Sequence, residues 1–106
     1  MQNLISTNYQ SIVDRGFITP TTTLFEFLDK LDEEVKELNK EALISKEWSN
    51  LPEELADVIL VCLNMAKHFD IDIEQELKNK IRINEYRAKQ RNNYICNQFL
   101  TLNKSL

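Results

Sequence analysis

An apolar stripe at helical spacing follows a helix-start signal in the first half of the chain. Thr23 and Glu26 have the spacing of a capping box, in which each side chain bonds the backbone N–H of the other residue. Apolar residues then recur at steps of three and four positions: Leu24, Leu28, Leu31, Val35, Leu38 and Ala42. This period places them on one side of an α-helix, so the segment predicts a helix of about five turns.

Two further segments combine a helix-start signal with apolar residues at helical spacing. Asn50 can cap a second helix, with Pro52 in its first turn, and Asp72 can cap a third. The predicted core face of the second helix consists of Leu51, Leu55, Val58, Ile59, Cys62, Ala66 and Phe69. A different face of this helix, adjoining the core face, carries Asp57, Asn64 and His68. Asn64 is expected to line the same cleft as Asp57, and His68 is expected near the surface at the helix end.

These signals predict an all-α fold, an antiparallel bundle of three main helices over residues 23–46, 51–69 and 73–91. Residues 1–22 show no sustained period and are predicted to be an irregular or partly helical lead-in. Residues 92–106 are predicted to be a helical extension or a tail. Three helices form a thin core, so we expect dimerisation to complete the bundle, as a homodimer or a tetramer. The apolar residues off the predicted stripes, which we expect at that interface, are Phe25, Phe27, Leu60 and Leu63.

Composition and charge exclude several classes of protein. The 106 residues fit one domain, and the net charge of −4 argues against binding a nucleic-acid polymer. The longest apolar run, residues 58–63, is far too short to cross a membrane. Cys62 is predicted to be a small core residue, and neither it nor Cys96 suggests a disulfide framework or a zinc site. A cytoplasmic location is therefore expected.

Two pairs of carboxylates carry the strongest chemical signal. Glu34 and Glu37 lie three residues apart on the first predicted helix, and Glu54 and Asp57 have the same spacing on the second. Each pair projects from one side of its helix, so facing pairs would bring four acids into a small volume. Such acids repel one another unless a cation lies between them, and Mg²⁺ prefers oxygen ligands of this kind. The pattern favours a metal site that handles phosphates, and a solvated acidic helix face is the alternative.

A row of polar side chains on the third predicted helix has two interpretations. Lys80, Asn84 and Arg87 fall at helical spacing on one side. A cationic row can bind the phosphate oxygens that a metal leaves uncovered. The same row can also be a solvated basic stripe, and spacing alone does not decide between the two.

The acidic motifs resemble those of the MazG-type all-α nucleoside triphosphate pyrophosphohydrolases. The shared pattern is Glu-Glu-x-x-Glu at residues 33–37, followed by Glu-x-x-Asp at 54–57, over a resemblance that extends through roughly residues 24–90. The resemblance implies Mg²⁺-dependent (or Mn²⁺-dependent) hydrolysis of a nucleoside triphosphate to its monophosphate and pyrophosphate. It favours substrate binding by Lys80, Asn84 and Arg87, and it implies that Trp48 stacks on the base. An aromatic ring that packs the loop over the core is an equally good interpretation of Trp48.

Glu33 is the candidate catalytic base. It neighbours Glu34 but projects about 100° away from the row of predicted ligands, so its carboxylate is left to accept a proton from water. A solvent-facing glutamate is the alternative. For the whole chain, the rival to an enzyme is a catalytically silent helical dimerisation or regulatory module that keeps the acidic frame.

Overall fold

The computed structural model describes residues 1–44 and 47–105, and within these ranges the side chains as far as Gln98. The described residues contain no β-strand and form the helices α1 (Gln2–Asp14), α2 (Leu24–Ile44), α3 (Leu51–His68) and α4 (Ile73–Ser105). The all-α prediction is therefore confirmed. None of the helices in the described ranges combines the length and the apolar character that a membrane crossing needs.

The predicted helix starts agree with the structure to within one residue. At α2 the capping box is formed, since Thr23 N donates to Glu26 Oε2 at 2.6 Å and Glu26 N donates to Thr23 Oγ1 at 3.3 Å. At α3 the N-cap residue is Asn50, but its side chain makes no capping bond. Its backbone N instead donates to Glu41 Oε1 of α2 at 3.1 Å. The predicted end of the first helix, residue 46, lies outside the described residues.

Residues 2–14 form a regular helix within the lead-in that was predicted to be irregular or partly helical. The sequence shows no clear helical period here because the inner side of α1 carries both apolar and polar residues. Ile5 is buried, while Asn8 and Tyr9 are half-buried and hydrogen-bonded to α3. These polar groups interrupt the apolar period in the sequence. Gly16, at φ +80°, ends the helix in the left-handed conformation that favours glycine. Its backbone N donates to the Val13 carbonyl oxygen at 2.9 Å.

The chain divides into two compact units, Met1–Asp72 and the residues from Ile73 onward. In the first unit α3 packs against both α1 and α2. Contacts at both ends show that α2 and α3 are antiparallel. The end of α2 meets the start of α3 through Glu41 and Asn50, and the start of α2 meets the end of α3 through the rings of Phe27 and Phe69, whose centroids are 5.8 Å apart.

The core of the first unit lies only partly on the predicted faces: Ala66 is buried as predicted, and the predicted core residues Leu31, Leu38, Leu51 and Val58 are half-buried. The buried apolar residues are Ile5, Ile18, Phe27, Val61 and Ala66. Leu55, Ile59 and Cys62, predicted as core, are exposed. Phe27, expected at a subunit interface, is only 5% exposed, and Leu60 and Leu63 are half-buried within the chain, whereas Phe25 is exposed. The difference from the predicted core arises because α1 packs on the face of α3 that carries Asn64 and His68. That face had been predicted to line a cleft.

His68 connects α1, α2 and α3 and is not the surface residue that was expected. Its Nε2 lies 2.8 Å from the Thr22 carbonyl oxygen, which can only accept, so this nitrogen carries the proton. The Tyr9 hydroxyl therefore donates to Nδ1, 2.9 Å away. The ring of Phe27 packs on the imidazole with centroids 4.9 Å apart. These contacts hold α1 against the rest of the first unit.

The second unit contains one long helix. α4 has 33 residues and continues to Ser105, well past the predicted end at residue 91. No proline or glycine follows residue 91, so the sequence contains no strong helix stop there. Residues 92–105 are therefore a helical extension, one of the two alternatives predicted for this segment.

Candidate metal centre

Three carboxylates from two helices converge at one place in the first unit. Glu34 of α2 and Glu54 and Asp57 of α3 each place one carboxylate oxygen within 4.8 Å of the others. All three residues are half-buried. Glu54 and Asp57 share a side of α3 because they are three residues apart, and antiparallel packing of α2 and α3 brings Glu34 opposite them. This is the convergence of two helices that the sequence predicts.

Glu37, the fourth predicted ligand, is exposed and lies outside this group of three. It is near enough for its negative charge to act on the Glu54 carboxyl. The structure thus brings together Glu34, Glu54 and Asp57 and places Glu37 at the periphery. The metal-ligand role of all four residues stays a prediction.

The electrostatics of the three-carboxylate group favour a cation. Partial removal from water, and then the negative charges of Asp57, Glu37 and Glu34, raise the pKa of the Glu54 carboxyl above its ordinary value of 4.5. A raised carboxyl pKa means that the ionised form is disfavoured where it stands. A bound divalent ion would reverse this effect, because its positive charge stabilises every carboxylate around it.

Lys30 lies beside the acids and was not assigned a role from the sequence. Its Nζ is 3.0 Å from Glu34 Oε1 and 3.4 Å from Glu33 Oε2. The hydrogen bond to Glu34 is the largest cause that raises the pKa of the Lys30 ammonium group above its ordinary value, so the group stays charged. The signal was present in the sequence, because a lysine four residues before a glutamate on a helix reaches it.

Glu33, the predicted base, is an exposed residue next to the three-carboxylate group. Its side chain is 68% exposed and pairs with Lys30 rather than with the other acids. It nevertheless lines the same cavity as Glu34 and Asp57. This position agrees with a carboxylate that is open to water and is not enclosed among the ligands.

A cavity of about 600 Å³ opens beside the acids within the first unit. Glu33, Glu34 and Asp57 line one part of it. The rest of the lining includes Asn8 of α1, Phe17 after that helix, Phe27 of α2, and Val61 and Asn64 of α3. The charged residues Arg15, Glu26 and Lys30 also line it. Asn64 therefore lines the same cleft as Asp57, as its position two turns further along the helix predicts. The contribution of α1 was not predicted.

Trp48 lies in the loop between α2 and α3, where its indole makes a hydrogen bond to the backbone. Its indole Nε1 donates to the Ala42 carbonyl oxygen at 3.0 Å, near the C-terminus of α2. Its backbone has φ +50°, and its side chain is largely exposed. The indole bond favours the interpretation of Trp48 as a residue that fixes the loop. Because the ring is exposed, it remains accessible to a substrate, and stacking on the nucleotide base stays a prediction.

The predicted phosphate-binding residues Lys80, Asn84 and Arg87 lie on α4, in the second unit, and all three are exposed. Their spacing of four and three residues places them on one side of that helix. Their role in binding a substrate stays a prediction.

Comparison with known proteins agrees with the acidic motifs. The domain described as the MazG nucleotide pyrophosphohydrolase domain matches residues 22–91. Neither the curated proteins nor the solved structures that were compared include a match. The matched residues contain α2, α3, the three-carboxylate group and the start of α4, and they leave out α1. They make up more than half of the chain, and the protein therefore belongs to the MazG family of nucleotide pyrophosphohydrolases.

Proposed function

We propose that the protein is a Mg²⁺-dependent pyrophosphohydrolase that converts a nucleoside triphosphate or deoxynucleoside triphosphate to its monophosphate and pyrophosphate. The observation that carries the proposal is the convergence of Glu34, Glu54 and Asp57 within 4.8 Å beside a cavity. Family membership supports hydrolysis of nucleotides in general. The removal of surplus or unwanted nucleotides from the cell is the role that fits this reaction.

The donor set suits Mg²⁺, with Mn²⁺ as a possible substitute. Carboxylate oxygens are the ligands that both ions accept. The raised pKa of Glu54, caused by partial removal from water and by neighbouring negative charges, supports a bound cation here. Glu34, Glu54 and Asp57 would hold the ion, and Glu37 would complete the set from its peripheral position. When bound, the ion supplies charge neutralisation to phosphate oxygens and Lewis-acid activation of water.

The remaining groups divide the work between proton transfer and phosphate binding. Glu33 accepts the proton of the attacking water, because its exposed carboxylate lines the cavity without joining the group of three. Lys30, which neutralises Glu34 and lines the cavity, is placed to bind a phosphate oxygen once a metal neutralises that acid. Lys80, Asn84 and Arg87 bind further phosphate oxygens, and Trp48 stacks on the substrate.

A second copy of the chain completes the fold in this proposal, as a homodimer or a tetramer. The apolar face of α2 and α3 that was predicted as core is exposed, with Leu28 at 41%, Leu55 at 48% and Ile59 at 49%. Apolar faces of this kind are typically covered by a partner. Sedimentation at tens of micromolar protein should show an oligomer, and a monomer would remove this part of the proposal.

The alternative from another class is a silent dimerisation or regulatory module that keeps the acidic frame. One experiment separates it from the enzyme. Pyrophosphate release is measured over the common and modified nucleoside triphosphates with Mg²⁺ present and with the metal chelated. An enzyme releases pyrophosphate from at least one of them only with the metal, whereas a silent module releases none.

A further inference from the structure

A hydrogen-bonded pair of asparagines lines the cavity away from the acids. Asn8 of α1 donates from Nδ2 to Oδ1 of Asn64 of α3 at 2.8 Å. Asn64 is buried, at 7% exposed, and lies three residues after the buried Val61 on α3. A few convergent polar side chains beside apolar ones in a cavity wall are typical of a ligand site.

The asparagine pair lies about one nucleoside length from the acids. Asn64 is seven residues beyond Asp57 on α3, which is about 10 Å along the axis. On the antiparallel α2, the seven residues from Glu34 back to Phe27 cover the same distance in the same direction. Residues of both helices therefore line the cavity from its acidic part toward the asparagines. A ribose and a base can fill this length.

Aromatic groups in the wall of the same cavity suit a flat ring. Phe27 lines the cavity and is held by the imidazole of His68, at a centroid distance of 4.9 Å. Phe17, which follows α1, also lines it and carries the Arg15 guanidinium 5.1 Å from its ring centroid. Aromatic and guanidinium planes are the surfaces on which nucleobases stack in proteins.

The mutual bond fixes the two amides and leaves each of them with a donor and an acceptor for a ligand. It uses one lone pair of Asn64 Oδ1 and one amide hydrogen of Asn8, so Asn8 keeps its oxygen and one N–H, and Asn64 keeps two N–H groups and one lone pair. Cytosine and uracil present donor and acceptor in opposite order on the edge away from the sugar, and so do adenine and guanine. Because the mutual bond holds the remaining groups of both amides in fixed positions, they favour one member of each pair over the other.

We propose that this part of the cavity is a nucleobase pocket in which Asn8 and Asn64 read the hydrogen-bonding edge of the base. Since Asn8 belongs to α1, outside residues 22–91, the segment before the family match would then determine which nucleotide is accepted. The inference rests on the proposed function for the phosphate end of the ligand. The base end can be tested without hydrolysis.

The test measures binding of nucleoside monophosphates to the full chain without metal. Titrations with AMP, GMP, CMP and UMP, and with ribose 5-phosphate as the probe that lacks a base, are followed by calorimetry or by amide NMR shifts. We expect at least one base to bind about tenfold more tightly than the base with the opposite edge, which is the effect of one hydrogen bond. Ribose 5-phosphate should bind more weakly than the preferred monophosphate.

Two variants at Asn8 and a matched control sharpen the result. Asn8→Ala should remove about tenfold of the preference, and Asn8→Asp, which keeps the shape but presents only acceptors, should change which base is preferred. Asn3→Ala removes an exposed asparagine of the same helix that does not line the cavity, and it should leave the preference unchanged. Thermal unfolding identifies any Asn8 variant that fails to fold, and the Asn8→Asp result then decides.

The outcomes separate this inference from the proposed function. Equal binding of all four monophosphates, or a base preference unchanged in both Asn8 variants, overturns the pocket even if triphosphates are hydrolysed. A base preference that depends on Asn8 supports the pocket even if no triphosphate is hydrolysed. The absence of monophosphate binding at millimolar concentration overturns it as well.

Discussion

The Tyr9 hydroxyl donates a hydrogen bond to Nδ1 of His68, 2.9 Å away, and so joins α1 to the end of α3. Nε2 of the same imidazole donates to the Thr22 carbonyl oxygen just before α2. One side chain thereby connects three helical segments. The arrangement keeps α1 over the cavity, which makes the stability of this connection a first quantity to measure.

Replacing the tyrosine tests this connection. Tyr9→Phe removes the hydroxyl and leaves Nδ1 of His68 without its donor in a half-buried place, so we expect the free energy of unfolding to fall by about 1 kcal/mol. Urea denaturation measures the change. Tyr86→Phe removes the hydroxyl of an exposed tyrosine on α4 and should change stability by less than about 0.5 kcal/mol. Equal effects of the two substitutions would mean that the Tyr9–His68 bond adds nothing.

The pKa of Glu54, raised by partial removal from water and by neighbouring negative charges, makes the stability of the protein depend on pH. The pKa of this carboxyl is raised in the folded protein, so the folded state holds its proton more tightly than the unfolded chain does. The metal-free protein therefore loses stability as pH rises from about 4.5 through the raised pKa, and the loss is complete above it. Glu54→Gln removes the titrating group.

The comparison is made by thermal unfolding in chelator at a series of pH values. Glu54→Gln should be more stable than the parent at neutral pH, and its advantage should shrink as the solution is made acidic. Asp29→Asn serves as the control, because it removes an exposed acid of α2 that is not among the charges acting on the Glu54 carboxyl. A parent that is as stable as Glu54→Gln at neutral pH would contradict the repulsion.

Much of the fold could be predicted from the sequence because helix starts and periods are local signals. The capping box at Thr23 and Glu26 and the spacing of Glu54 and Asp57 each depend on residues within one turn. The face of α3 that would be covered could not be predicted in this way. Residues 58–63 are apolar around most of the helix, so the period does not distinguish Val61, which is buried, from Ile59, which is exposed.

The part of the site formed by α1 was missed for a different physical reason. Asn8 and Tyr9 are half-buried through hydrogen bonds to Asn64 and His68, which lie 56 and 59 residues away in the chain. In a sequence, a polar residue on a covered face cannot be told from a solvent-facing one unless its hydrogen-bond partner is known. Gly16 was the one local signal of a helix end, and the interrupted apolar period of α1 concealed the helix before it.

The proposed base predicts a selective loss of rate. Glu33→Gln keeps the shape of the side chain but cannot accept the proton of water, so turnover should fall by about 10²–10⁴-fold. Metal and nucleotide binding, measured by calorimetry, should be retained. Asp32→Asn is the control, because it changes an exposed acid adjacent to Glu33 in the sequence. Glu26→Gln is not suitable, because Glu26 caps α2. Unchanged turnover would make Glu33 a bystander, and lost metal binding would make it a ligand.

The polar row of α4 predicts an effect on substrate binding. Lys80→Ala removes a positive charge that the proposal assigns to a phosphate oxygen, so KM should rise about tenfold or more. Steady-state kinetics on the preferred triphosphate measure the change. Lys78→Ala removes a lysine two positions earlier, which is on another side of the helix and is also exposed. If both variants match the parent, the row is a solvated basic stripe.

The most direct test of the central claim is Mg²⁺-dependent pyrophosphate release by the parent and by Asp57→Asn. Asp57 belongs to the three-carboxylate group, and the substitution removes one negative charge with little change of shape. Asp29→Asn, which changes an exposed acid of α2 outside that group, is the control. We predict that the parent and Asp29→Asn release pyrophosphate and nucleoside monophosphate from at least one triphosphate, that chelation stops both, and that Asp57→Asn loses at least about 10²-fold. Turnover by Asp57→Asn equal to that of the parent, or products other than monophosphate and pyrophosphate, would contradict the account.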